Sequence, residues 1–135
     1  MMKKKTFDRR TDELESVFNF LKKNGEKFGI HGKQQFEIEL SVEEVFMNMV
    51  RHNSQSDESI EITVEKKDEN KIIICLIDHE DIPFDLTSIE EVDLEKYIEE
   101  KKTGGLGIHL IKQLMDEIKF EHRNGVSSIR LVKHI

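Results

Sequence analysis

The sequence predicts an α/β fold of the α+β type: a two-layer sandwich in which about three helices cover a mixed, mostly antiparallel sheet of about five strands. Apolar residues at helical spacing predict the helices, and short alternating or continuous apolar runs predict the strands. Strands joined by hairpins imply antiparallel pairing, and helices gathered around such a sheet imply two layers. The length of 135 residues favours a single domain over residues 1–135, large enough to bury a core.

The N-terminal half contains one short predicted strand, over residues 2–7, and two predicted helices. The first helix begins at Thr11, a plausible N-cap, and is punctuated at its end by Gly25 and Gly29. The second runs from about residue 34 to residue 52 and stops at the polar cluster NSQSDES. The apolar faces of the two helices are formed by Leu14, Val17, Phe18, Leu21, Ile38, Val42, Val45, Phe46 and Met49.

The C-terminal half alternates strands with one further helix. Residues 60–64 alternate apolar with polar side chains, as a half-buried strand does, and the run KIIICLI predicts a more central strand. Residues 79–103 are irregular and acidic, which fits either a functional lid or a solvated charged segment. A helix to about Glu117 follows, and the chain closes with a hairpin whose Asn124-Gly125 pair suits a type I′ turn.

Composition excludes several classes of function. The net charge of −7 argues against a general nucleic-acid or membrane-surface binder, because both need a basic surface. No apolar stretch is long enough to span a bilayer, and the opening MMKKK is not followed by the apolar region of a signal peptide. The single Cys75 reads as a small core residue and, with no disulfide partner, favours the reducing cytoplasm.

A cluster of glycines precedes the third helix. Gly104, Gly105 and Gly107 stand directly before an apolar face at helical spacing, with Lys101 and Lys102 beside them. Free backbone N–H groups and the positive end of the helix dipole meet at such a terminus, and glycine lets the backbone approach an anion closely. The segment is therefore either a phosphate-binding loop or a flexible loop that happens to precede a helix.

The second helix carries a polar stripe beside its apolar one. Glu44 and Asn48 are separated by four positions and share one face, which Ser41 and His52 extend. A carboxylate with a carboxamide one turn away can place a general base beside a Mg²⁺ ligand. The alternative is an ordinary solvated helix face.

Taken together, EEVFMNMVRH and TGGLGIHLIKQLMD resemble the GHKL (Bergerat-fold) ATPases, and within them most closely the anti-sigma-factor serine kinases of bacterial partner-switching systems. The resemblance covers nearly the whole chain, including the closing SSIRLVKHI. Glu44, Asn48 and His52 match the Glu-x-x-x-Asn pattern with a histidine four residues on, and the glycine cluster matches the second glycine box.

The resemblance implies roles for these residues. Glu44 would be the general base, which activates a serine hydroxyl on a protein substrate or orients a water, and Asn48 would hold the Mg²⁺ that bridges the phosphates of ATP. Ser127 and Ser128 stand where related kinases carry a Thr-Thr pair near the adenine. The implied nucleotide-binding residues are Asn48, His52, Asp78, His79, Asp81, Lys102, Thr103, Gly104, Gly105, Leu106, Gly107 and Ser128.

The adenine-binding box departs from the family pattern, which is Asp-x-Gly followed by Pro-Phe-Asp. The segment here reads LIDHEDIPFDL, and an ungapped match on Pro-Phe-Asp puts His79 at the aspartate position and Asp81 at the glycine position. Asp78 is one residue early, and one residue of shift in a strand reverses the direction of the side chain, so Asp78 is expected to substitute only if a bulge or a loop change redirects it. A neutral His79 could accept a hydrogen bond, whereas the side chain of Asp81 would crowd the base.

Three functions follow as alternatives. The first is an ATP-dependent serine/threonine kinase that binds a sigma factor and phosphorylates a STAS-type anti-anti-sigma partner. The second is a degenerate relative, impaired in nucleotide binding, that acts as a protein-binding module. The third is a stand-alone ATPase or a fragment of a histidine sensor kinase. The resemblance also implies a homodimer, whereas the cytoplasmic location is predicted from the single cysteine and the lack of direct contact with nucleic acid or membrane from the net charge.

Overall fold

The structure, a computed structural model, describes residues 2–30, 32–52, 57–79 and 104–135. It confirms the predicted fold class, because three helices pack on one face of a five-stranded sheet in these residues. A short 3₁₀ turn over Thr11–Glu13 precedes the first helix. The helices are α1 (Leu14–Phe28), α2 (Gly32–His52) and α3 (Gly104–Leu114), and the strands are β1 (Met2–Phe7), β2 (Ile60–Lys67), β3 (Lys71–His79), β4 (Glu117–Arg123) and β5 (Val126–His134).

The sheet has the strand order β1-β2-β3-β5-β4. Every pairing between the described strands is antiparallel, in agreement with the predicted mixed, mostly antiparallel sheet. Two hairpins explain most of this order, since β2 joins β3 and β4 joins β5 through short turns. In the second turn, Asn124 and Gly125 have φ values of 52° and 75°, as a type I′ turn requires. The register places Asp78 of β3 opposite Ser127 of β5.

The core lies between the sheet and the helices, because alternate residues of each strand face the same side. In β3 these are Ile72, Ile74 and Leu76, which are fully buried and are followed in the same series by Asp78. The helices supply the facing side chains, with Phe46 of α2 and Ile111 of α3 completely buried.

The ends of the helices differ from the sequence prediction in two places. Thr11 is not an N-cap: α1 begins after Glu13, without a side-chain capping bond, and the carboxylate of Glu13 instead accepts from the Asp8 backbone N–H at 3.0 Å. Gly29 is the left-handed C-cap of α1, with φ 79°, so the predicted end is correct. Helix α3 ends at Leu114 rather than near Glu117, because the N–H of Asp116 already donates to the β5 carbonyl of Val132.

The face of the sheet opposite the helices carries the remaining strand residues. Cys75 lies on this face and is only partly buried, so it is not the core residue that the sequence predicted. The prediction was wrong because it treated the whole apolar run KIIICLI as core, whereas the side chains of that run alternate between two faces of the sheet. Within the described helices, no segment is both long and apolar enough to cross a membrane.

Candidate functional site

Helix α2 positions the two central residues of the candidate site. Glu44 and Asn48 lie one turn apart, and the Nδ2 of Asn48 donates to the backbone carbonyl oxygen of Glu44 at 2.6 Å. Asn48 is buried, with 6% of its surface exposed, and Glu44 is partly buried. Because the Asn48 N–H₂ group is held by the helix itself, the orientation of its carboxamide oxygen is fixed. Ser41, on the same stripe, is buried, and its Oγ has no hydrogen-bond partner among the residues that the structure describes.

The electrostatics at Glu44 suit a proton acceptor. Burial raises the pKa of the Glu44 carboxyl above its ordinary value of 4.5, the charge of Glu43 raises it further, and Arg51 opposes both. A higher pKa makes a carboxylate a better general base, provided that it stays ionised near neutral pH. Glu44 therefore combines partial exposure with increased basicity, next to an oriented carboxamide.

A row of polar side chains lies at one end of the sheet, on the face that carries the core. Asp78 ends the inward series of β3 and is fully buried, and its register partner Ser127 is buried as well. His122 of β4 pairs with Ser127, and its Nδ1 lies 2.8 Å from the Ser127 Oγ. Carboxylate, hydroxyl and imidazole thus follow one another across three neighbouring strands.

Arg9 joins this polar row to helix α2. Its guanidinium forms a two-pronged ion pair with the carboxylate of Asp78, in which Nη1 lies 3.2 Å from Oδ2 and Nη2 contacts Oδ1. The same Nη1 donates to the carbonyl oxygen of Met49 at 2.9 Å. Met49 follows Asn48 in the sequence, so Arg9 links the carboxylate of the sheet to the Glu44–Asn48 helix.

The glycine cluster occupies the first turn of α3, which begins at Gly104. The prediction that these glycines form a helix N-terminus is therefore correct. The first four N–H groups of a helix have no partner within it, so this terminus supplies the backbone donors that a phosphate needs. At its other end, α3 is tied to the body by Lys133, whose Nζ donates to the Leu114 carbonyl at 2.5 Å and pairs with Glu37 of α2 at 3.2 Å.

The two alternatives at the adenine-binding box differ in the face that they occupy. Asp78 faces the helices without a bulge in β3, whereas His79 is exposed and belongs to the opposite series. The ungapped match to Pro-Phe-Asp therefore does not bring His79 to the core face. Likewise Ser127, rather than Ser128, lies on that face, since Ser128 points with Ile77 to the other side.

Other predicted residues are described only in part. Asp81, Lys102 and Thr103 lie outside the described residues. The backbone of Gly104, Gly105, Leu106 and Gly107 lies in α3, and His52 is the last residue of α2. Sequence reasoning missed Arg9 and His122. The alternation of β4 could have revealed His122 as inward-facing, but nothing in the sequence pairs Arg9 with a residue 69 positions away.

The chemistry of these residues fits ATP and Mg²⁺. Asn48 offers a neutral hard oxygen, of the kind that Mg²⁺ accepts beside phosphate and water ligands. Asp78 can accept from an exocyclic amino group, and the α3 terminus can donate to phosphates. Within the described residues, no group of three or more His, Cys, Asp or Glu side chains forms an all-protein metal site.

The curated proteins that resemble this chain include serine-protein kinases named RsbW. The chain is 35% identical over 104 residues to the serine-protein kinase RsbW of Listeria monocytogenes, and 27% identical over 103 residues to that of Bacillus cereus. The match covers 73% of this chain and 65% of the Listeria protein, so the chain spans just under two thirds of the length of that relative.

Two solved structures share the fold over 98% of this chain. One contains the RsbU and RsbW domains of Rv1364c from Mycobacterium tuberculosis, with a TM-score of 0.71, 16% identity and 32% of that chain covered. The other is the SiaB–SiaC complex from Pseudomonas aeruginosa, with a TM-score of 0.62, 12% identity and 89% of that chain covered. A family model described as the histidine kinase-like ATPase domain matches residues 7–133. The chain therefore belongs to the histidine kinase-like ATPase domain family.

Proposed function

We propose that the chain is a single ATPase-like domain that acts in the cytoplasm as an ATP-dependent serine/threonine protein kinase of the anti-sigma-factor type. Its substrate is a STAS-type anti-anti-sigma protein, and its second partner is a sigma factor, which it binds as a homodimer. One observation carries the proposal: burial raises the pKa of Glu44, which lies one turn from the oriented carboxamide of Asn48. The name of the RsbW relatives, serine-protein kinase, supports this class of activity.

In this proposal each residue has one task. Asp78 accepts from the amino group of adenine beside Ser127, the glycine terminus of α3 donates to the phosphates, and Asn48 holds Mg²⁺, which neutralises charge on them. Glu44 takes the proton of the substrate serine while the oxygen of that serine bonds to the γ-phosphorus of ATP. The bond between that phosphorus and the β–γ bridging oxygen breaks, and ADP leaves.

The test compares two neighbouring carboxylates. Glu44→Gln should preserve Mg·ATP binding, measured by isothermal titration, and slow phosphoryl transfer to a STAS-domain protein about 10²- to 10⁴-fold, the usual contribution of a general base. Glu43→Gln is the control and should keep transfer within about tenfold of wild type, because its role is only electrostatic. Transfer at the wild-type rate in Glu44→Gln would show that Glu44 is not the base.

A second candidate is a protein-binding module without catalysis. The ion pair between Arg9 and Asp78 favours it, since the carboxylate assigned to adenine is already engaged. Titration of the wild-type protein with ATP and Mg²⁺ separates the candidates. Micromolar binding supports the kinase, and absence of binding at millimolar ATP supports the module.

A further inference from the structure

The guanidinium of Arg9 is buried and donates to several hydrogen-bond acceptors of the described residues. Its side chain is 2% exposed and that of Asp78 is fully buried. Beside the carboxylate and the Met49 carbonyl, the backbone oxygen of Glu58 accepts from Arg9 Nε at 3.1 Å. Four of the five N–H donors of a guanidinium are thereby directed to three separate segments of the chain.

The end of α2 explains why a cation is favoured at this position. Met49 is one of the last four residues of the helix, whose carbonyl groups have no partner within it and carry the negative end of the dipole. Pairing of Phe7 with Ile60 then fixes where the chain leaves β1, which brings Arg9 alongside Glu58. The position of Arg9 therefore follows from the sheet register and the helix end together.

The ion pair with Arg9 uses both oxygens of the Asp78 carboxylate, which binds the adenine amino group in the proposed function. An exocyclic amino group and a guanidinium are both donors, and a fully buried carboxylate offers them the same oxygens. Resting on the proposed function, we propose that Arg9 competes with the nucleotide base for Asp78, so that ATP binds only to the form in which Arg9 has left the carboxylate. Arg9 is thus a specificity-determining residue of the nucleotide site.

The size of the effect follows from the population of the open form. When only a fraction of molecules is competent, the apparent dissociation constant is the intrinsic one divided by that fraction. Minor forms are typically populated at about 0.1–10%, so removing the competing guanidinium should tighten ATP binding about 10- to 1,000-fold. Arg9→Gln removes the charge but keeps an N–H₂ group that can donate to a buried acceptor.

The experiment is isothermal titration of ATP and inosine triphosphate, with Mg²⁺, into wild type, Arg9→Gln and Arg10→Gln. Arg10 is the matched control, because it is exposed and its ion-pair partners among the described residues are the exposed carboxylates of Asp8 and Asp12. Inosine triphosphate lacks the amino group, so competition for Asp78 affects the two nucleotides differently. We expect Arg9→Gln to bind ATP at least about tenfold tighter and to raise the preference for ATP over inosine triphosphate, with Arg10→Gln unchanged.

Three other outcomes are distinguishable. If wild type binds ATP and Arg9→Gln binds it equally or more weakly, Arg9 does not compete, and the inference fails while the proposed function stands. If both affinities change together at a constant ratio, Arg9 acts only on the structure, and the inference fails again. If no variant binds ATP, the proposed function fails and the inference with it.

A second variant covers the case in which Arg9→Gln does not fold, since a buried carboxylate without its partner destabilises a protein strongly. Arg9→Lys keeps the positive charge but loses the planar two-pronged geometry. It should shift ATP affinity and preference in the same direction by a smaller factor, and its thermal melt verifies folding. Wild-type affinity and preference in a folded Arg9→Lys would overturn the inference.

Discussion

At the scale of single residues, the burial of Glu44 favours its proposed role as a base but lowers the stability of the folded protein when the carboxylate is ionised. Burial raises its pKa above 4.5, so the folded protein keeps this proton to a higher pH than the unfolded chain does. Stability contributed by the protonated form is therefore complete below about pH 4.5 and is lost as pH rises through the raised folded value. Above that value, the buried charge lowers the free energy of unfolding.

Glu44→Gln should accordingly increase the free energy of unfolding near neutral pH and leave it nearly unchanged well below pH 4.5. Urea denaturation at both pH values measures the difference. Glu117→Gln, at an exposed position of β4, is the control and should change little at either pH. A loss of stability near neutral pH in Glu44→Gln would show that a partner stabilises the carboxylate and that burial does not dominate.

The sequence predicted the positions of site residues where these depend on neighbours in the chain, and it did not predict contacts between residues that are distant in the chain. The helical spacing of Glu44 and Asn48 was sufficient to place them one turn apart. The choice between Asp78 and His79 depended on strand phase, and the unbroken series Ile72, Ile74, Leu76 and Asp78 settles which of them faces the helices. Arg9 could not be found, because its partners lie in three distant segments.

At the scale of elements, the chain places glycine where the backbone requires it. Gly29 ends α1 with φ 79° and ψ 22°, and its N–H bonds back to the carbonyls of Glu26 and Gly25. A Cβ added there would meet no atom within 4 Å, so any cost of substitution is conformational. The sequence also marked Gly25 as an end, but this glycine lies inside α1, where the side chain of Gln35 packs against it.

Gly29→Ala should therefore lower the free energy of unfolding by about 1–2 kcal/mol, the cost of the left-handed conformation for a residue with a Cβ. Gly29→Asn is the matched variant and should lose less, because asparagine tolerates this conformation better. Urea denaturation of both variants measures the difference. If asparagine is no better than alanine, the cost does not arise from the backbone conformation.

At the scale of the whole molecule, Phe7 connects the N-terminal strand to both large helices. Phe7 is 2% exposed, and its ring packs edge-on against Phe20 of α1 and Phe46 of α2. The distances between ring centroids are 5.7 Å and 6.5 Å. The strand that carries it pairs with β2, more than 50 residues away in sequence, and also fixes the exit of the chain toward Arg9. Phe7 therefore contacts both large helices from the strand that leads to Arg9, and we expect these parts to unfold as one cooperative unit.

Phe7→Ala should lower the free energy of unfolding by about 3–5 kcal/mol, a large part of the 5–15 kcal/mol typical of a domain. Phe36→Ala is the matched control, because the Phe36 ring is 65% exposed and its loss should change stability by less than about 0.5 kcal/mol. Urea unfolding followed by far-ultraviolet circular dichroism and by amide NMR signals of β3 tests cooperativity. We expect one shared transition, shifted in Phe7→Ala; separate transitions would mean that β1 and α1 unfold independently of the sheet that carries Asp78.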